Sequence, residues 1–121
     1  MQKILESNNT RIGNSIIITT HSPYIINYLT IAIQAGGLKK KLDESEADKA
    51  LYSRLYEVVP EQSLISMNDT AIYELNELDG RITKLTAEYG VPTDNNFLNT
   101  MLKERNILFD TLLDIEEEIN P

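Results

Sequence analysis

The sequence contains no cysteine and a single histidine, His21. Disulfides, zinc–thiolate sites and thiol catalysis are therefore excluded, and so is a multi-histidine metal centre. Positive charge is scarce as well. The 11 Lys and Arg set against 19 Asp and Glu leave a net charge of −8 over 121 residues, with a pI near 4.6. A field of that sign repels phosphate at long range, so the chain does not by itself attract nucleic acid or anionic lipid. The one dense basic run, Lys39-Lys40-Lys41, reads as a solvated helix end. Long apolar runs are missing too. The most apolar zone, Ile16 to Ala35, is interrupted by Thr, His, Ser, Pro, Asn and Gln, whereas a membrane span needs ~18 or more apolar residues in a row. The N-terminal Met1-Gln2-Lys3-Ile4-Leu5-Glu6 has no apolar signal core. The expectation is a cytoplasmic protein with no membrane partner.

What remains is an ordinary globular composition, 41% hydrophobic and 25% charged, and a length that suits one domain over residues 1–121. Met1 to Asn8 reads as a short helix anchored by Ile4 and Leu5, followed by turn residues through Asn14. Ser15-Ile16-Ile17-Ile18-Thr19-Thr20 is a continuous β-branched run that suits a strand buried on both faces of a sheet. Ser22 then offers an N-cap and Pro23 a first helical position. Tyr24, Ile25, Tyr28, Leu29, Ala32 and Ile33 recur at helical spacing, with Gly36-Gly37 as the expected stop. A further helix is expected from Ser45 to Pro60, burying Ala47, Leu51, Leu55 and Val58. Tyr52 and Tyr56 read as a packed aromatic pair on its edge. Thr70 to Leu75 and Arg81 to Leu85 flank Asp79-Gly80 as a hairpin. After the break at Gly90-Val91-Pro92, Thr93 or Asp94 caps a long last helix. Its apolar stripe is Leu98, Met101, Leu102, Leu108, Phe109, Leu112, Ile115 and Ile119; the spacings 101, 108, 115 and 98, 112, 119 are close to a heptad, with Arg105 in one seam position. The carboxylates Asp43, Glu44, Glu46 and Asp48 read as a helix N-terminus, not a cation site.

Chemistry concentrates in Ile16-Ile17-Ile18-Thr19-Thr20-His21-Ser22-Pro23-Tyr24-Ile25. In open α/β sheets ligands bind beyond the carboxyl ends of strands, where the next helix also presents free backbone N–H groups. An imidazole in that place can donate a hydrogen bond to a phosphate oxygen. Adjacent Ser22 and His21 lack the third orienting group and the oxyanion site that a hydrolase needs.

An apolar strand, then Thr-Thr-His-Ser-Pro, then an aromatic-aliphatic helix, resembles the switch-histidine segment of ABC-type ATPase heads, the AAA-type ATPases of the SMC, RecF and OLD-like group. The pattern from Asn68 through Ile82, and the closing helix from Phe97 to Glu117, follow that group more loosely. By this resemblance His21 would contact the terminal phosphate of ATP. Thr20 and Ser22, with Thr19, would shape its loop, and Pro23 would fix the helix entry. The fold implied is α/β, the C-terminal subdomain of a P-loop NTPase head, with one buried strand, a β-hairpin and three to four helices. DNA repair or phage defence would be its setting.

The rest of that machinery is not in this sequence. There is no Gly-x-x-x-x-Gly-Lys-Ser/Thr phosphate loop, no Mg²⁺-holding aspartate with an adjacent catalytic glutamate at the end of an apolar strand, and no Ser-Gly-Gly signature. In the group all three precede the histidine. The chain thus reads as a C-terminal fragment of an ATP-binding protein that hydrolyses no ATP alone. ATP and Mg²⁺ belong to the complete parent, and the missing N-terminal half of the head is the main partner. Self-association is expected, with DNA contact only through the parent. The alternative is a stand-alone interaction or dimerisation module with a vestigial nucleotide site.

Overall fold

The computed structural model describes residues 1–10, 13–88 and 90–119. Among them the chain forms four α-helices, α1 (Gln2–Asn9), α2 (Pro23–Glu44), α3 (Lys49–Val58) and α4 (Phe97–Ile119). Two antiparallel hairpins complete the regular structure. One pairs β1 (Tyr73–Leu75) with β2 (Ile82–Lys84), and the other pairs β3 (Ala87–Glu88) with β4 (Val91–Pro92). The chain is thus mixed α/β.

The core lies where α2 crosses α3 and α1. Leu5, Ala32, Ala35, Leu55 and Val59 are buried together, with Tyr28, Leu29, Leu42, Tyr56, Leu64 and Ile65 packed against them. At α3 the buried residues are Leu55 and the C-cap Val59; Leu51 and Val58, expected on the same buried face, are exposed. Tyr52 and Tyr56 lie on the flank of that face, ring centroids 6.2 Å apart. Leu5 anchors α1 while Ile4 stays exposed. Polar contacts to the turn at Glu61–Ser63 hold α1 in place. Asn9 Nδ2 donates to the carbonyls of Gln62 (2.9 Å) and Leu64 (3.0 Å), and Ser63 Oγ donates to the Gln2 carbonyl (3.3 Å).

Several sequence expectations are corrected. Gly36-Gly37 does not stop α2, which runs on through the three lysines to Glu44. Gly36 serves close approach instead: a Cβ there would overlap the carbonyl oxygen of Ile65. The next helix starts after Asp48 and not at Ser45, because Ser45 closes α2 and Glu46 turns the chain with a φ of 50°. The acidic group from Asp43 to Asp48 therefore spans the turn between helices. The long helix begins at Phe97, three residues beyond Asp94. Asn96 Oδ1 accepts the Asn99 N–H (3.0 Å), and the Glu74 carboxylate reaches from β1 to accept the Phe97 N–H (2.9 Å). The Asp79-Gly80 hairpin forms in register, Tyr73 opposite Lys84 and Leu75 opposite Ile82, with Gly80 at φ 69°. The β3–β4 hairpin stands where the sequence suggests only a chain break at Gly90-Val91-Pro92. The turn read through Asn14 falls partly on residues 11–12, outside the described residues.

The buried central strand does not form. Residues 14–22 run without helix or strand, and Ile17 is 94% exposed. A lone extended segment leaves a row of unpaired N–H and C=O groups, so without neighbouring strands the β-branched run has nothing to form a ladder with.

Candidate functional site

The segment singled out by sequence leads directly into α2. Ser22 occupies the N-cap position in an extended conformation (φ −91°, ψ 118°), and Pro23 takes the first helical position, where no N–H is required. Ser22 makes no side-chain cap bond. Its own backbone N–H instead donates to Thr20 Oγ1 at 2.9 Å, a tight turn that fixes the chain on either side of His21. Thr20, Ser22 and Pro23 are half-buried by this arrangement, while Thr19 and His21 are exposed. His21 thus lies one residue before the N-cap of a 22-residue helix, whose first-turn N–H groups lack intrahelical partners. An anion arriving at that end would meet the positive end of the α2 dipole, with His21 and Ser22 adjacent in the chain.

Thr20, His21 and Ser22 are held together by adjacency in sequence. Among the described residues no side chain from another element is hydrogen-bonded to them. Two open concavities lie elsewhere, one between Met67–Thr70 and Lys84–Ala87, the other between α2 and α3. Among the described residues no group of three His, Asp or Glu side chains converges as a metal site. This chain matches no protein-family model, no curated protein and no solved structure. The reading of the site therefore rests on its residues. No helix of the described residues is long and apolar enough to cross a membrane.

A polar cluster with perturbed titration sits at the other end of α2. Asp43 accepts from Tyr52 Oη at 2.7 Å and from Lys39 Nζ at 3.0 Å, tying the end of α2 to α3. The Tyr52 hydroxyl, and then Lys39, hold the Asp43 carboxyl below the ordinary carboxylate range. The same contacts push Lys39 and Tyr52 up. Burial, and secondarily the Glu61 charge, raise Tyr56. The Lys39–Asp43 pair is legible at i,i+4 spacing. Tyr52 as third member is not, because the turn at residues 45–48 decides which face of α3 meets α2. The cluster is open to solvent and reads as a pin between helices.

Proposed function

We propose that this chain is the C-terminal part of an ABC/SMC-like ATPase head, with His21 as the group that senses the terminal phosphate of ATP in the assembled protein. The observation that carries this reading is the unpartnered apolar run before the histidine. Ile16, Ile17 and Ile18 are exposed in a segment without helix or strand that enters a proline-started helix across Thr-Thr-His-Ser. An exposed run of that kind is poorly suited to water and well suited to a sheet supplied by another part of a larger protein. Strands on either side would bury it and fix His21 at the sheet's carboxyl edge.

The residues present fit one part of a nucleotide site. His21, Ser22 and the first turn of α2 would meet a phosphate oxygen. No carboxylate set for Mg²⁺ converges beside them among the described residues, and the sequence has no phosphate loop. Phosphoryl transfer is mostly positioning and charge neutralisation by those parts, so the isolated chain is expected to have negligible ATPase activity. The parent's missing half and its Mg-ATP are thus the partners in this reading, and DNA would be reached only through the parent.

The runner-up is a free-standing interaction module in which the phosphate sensor is vestigial, favoured by the exposed apolar face of α4. Titration calorimetry with Mg-ATP on this chain, and on His21→Ala, bears on both. The proposal expects no heat of binding from either. Binding that His21→Ala abolishes would mean the chain builds a complete nucleotide site by itself, against the proposal.

A further inference from the structure

The last helix carries an unused face whose charges are complementary to themselves when the helix is reversed. From Lys103 to Ile119 every residue of α4 is exposed; only the first turns, at Leu98, Asn99, Met101 and Leu102, are half-buried. Leu108 is 65% exposed, Leu112 64% and Ile119 71%. At about 100° per residue, Leu98, Met101, Leu102, Leu108, Phe109, Leu112, Leu113, Ile115 and Ile119 fall within about 160° of the helix surface. Two charged residues interrupt that stripe near its centre line, Arg105 and Glu116. They are opposite in sign and about three turns apart.

We propose that α4 pairs with α4 of a second copy of this chain in antiparallel orientation, with Arg105 of each copy beside Glu116 of the other. A register centred between Asp110 and Thr111 makes this pairing twice by symmetry. It also sets Phe109 against Leu112 and Leu102 against Ile119 in both directions, the spacing of a coiled-coil seam. The charge order along the helix selects the orientation. Lys103 and Arg105 flank Glu104 in the first half, a net charge of +1, whereas Asp110, Asp114, Glu116, Glu117 and Glu118 fill the second. A parallel pair would place Arg105 on Arg105 and the carboxylates on their own copies. Reversal brings the acidic end alongside the basic half and opposes the two helix dipoles. An Arg–Glu pair flanked by apolar layers fixes register more than it adds affinity. This inference stands independently of any role in nucleotide binding.

Sedimentation velocity and multi-angle light scattering on the whole chain, from low to high micromolar concentration, test it together with three variants. Arg105→Glu and Glu116→Arg are surface changes whose folding is checked by circular dichroism. Each single change turns both attractive pairs repulsive and is expected to weaken the dimer about tenfold. The double change Arg105→Glu with Glu116→Arg restores both pairs, reversed, and should recover the original dimer. A monomer at every concentration would overturn the proposal and leave the stripe to a different partner. So would a dimer indifferent to both single changes, which is the result for parallel pairing or for an interface elsewhere. Weakening by the singles with no recovery in the double would overturn the Arg105–Glu116 register.

Discussion

Gly36 and Gly37 are neighbours in the middle of α2, yet replacing each with alanine is expected to move stability in opposite directions. A glycine inside a helix costs about 1 kcal/mol relative to alanine, so both changes gain that much from the backbone alone. At Gly37 nothing lies within 4 Å of an added Cβ, and Gly37→Ala should be more stable by about 1 kcal/mol. At Gly36 the added methyl meets the Ile65 carbonyl oxygen, with the carbonyl carbon only 3.1 Å away. That neighbour is backbone, held by the Ile65 N–H donating to the Ala32 carbonyl (3.5 Å), and cannot rotate aside. Overpacking of this kind costs about 1–3 kcal/mol, and here the upper end applies. Set against the helix gain, Gly36→Ala should lose about 2 kcal/mol, leaving roughly 3 kcal/mol between the two variants. Urea unfolding followed by helical circular dichroism measures both, at one protein concentration because any self-association adds to apparent stability. A Gly36→Ala chain as stable as the parent, or a Gly37→Ala chain that loses stability, would refute the packing of α2 against Ile65.

Two further outcomes follow from named contacts. The Asp43 carboxyl should titrate below the ordinary aspartate value, and Tyr52→Phe should bring it back up, since the Tyr52 hydroxyl is the larger cause. A lowered carboxylate stabilises the fold above its unfolded-chain value and loses that contribution as pH falls through the lowered one. Carbon-detected NMR titration follows it directly, and an Asp43 value unmoved by Tyr52→Phe would contradict the contact. Glu74→Ala removes the acceptor for the Phe97 N–H and should cost about 1 kcal/mol. Hydrogen exchange at the Phe97 and Leu98 amides should speed up while Ile33 keeps its protection; unchanged exchange at Phe97 would mean Glu74 does not hold the start of α4.

Local signals in the sequence were reliable where local physics decides. Pro23 at the first helical position, Asp79-Gly80 in its hairpin and the apolar stripe of α4 all answer to residues within a turn or two. Gly36-Gly37 misled because the local penalty of glycine was weighed without Ile65, a partner 29 positions away (65 − 36). The expected α3 face runs through Ala47, which lies in the turn before the helix beside the left-handed Glu46, and Val59 is buried as the extended C-cap, a place that helical spacing does not reveal. The β3–β4 hairpin has two residues per strand, too short for alternation to show, and only Gly90 with its φ of 80° marks it. Ile16 to Thr20 has every intrinsic preference of a strand and, among the described residues, no strand paired with it. Pairing is a property of the neighbours and not of the segment. The candidate site shares that limit: the sequence placed Thr20, His21 and Ser22 at the mouth of α2, whereas the groups that would complete a nucleotide site lie outside this chain in the proposed reading.

The most direct test of the ATPase-head reading is steady-state ATP hydrolysis by this chain joined to the segment encoded immediately upstream in frame, with and without His21→Ala. The reading predicts that the upstream segment supplies a phosphate loop, that the joined protein hydrolyses ATP, and that His21→Ala lowers kcat by about 10²–10³-fold, the usual loss when one donor to transition-state charge is removed. An upstream segment without a phosphate loop, or hydrolysis indifferent to His21→Ala, would contradict it.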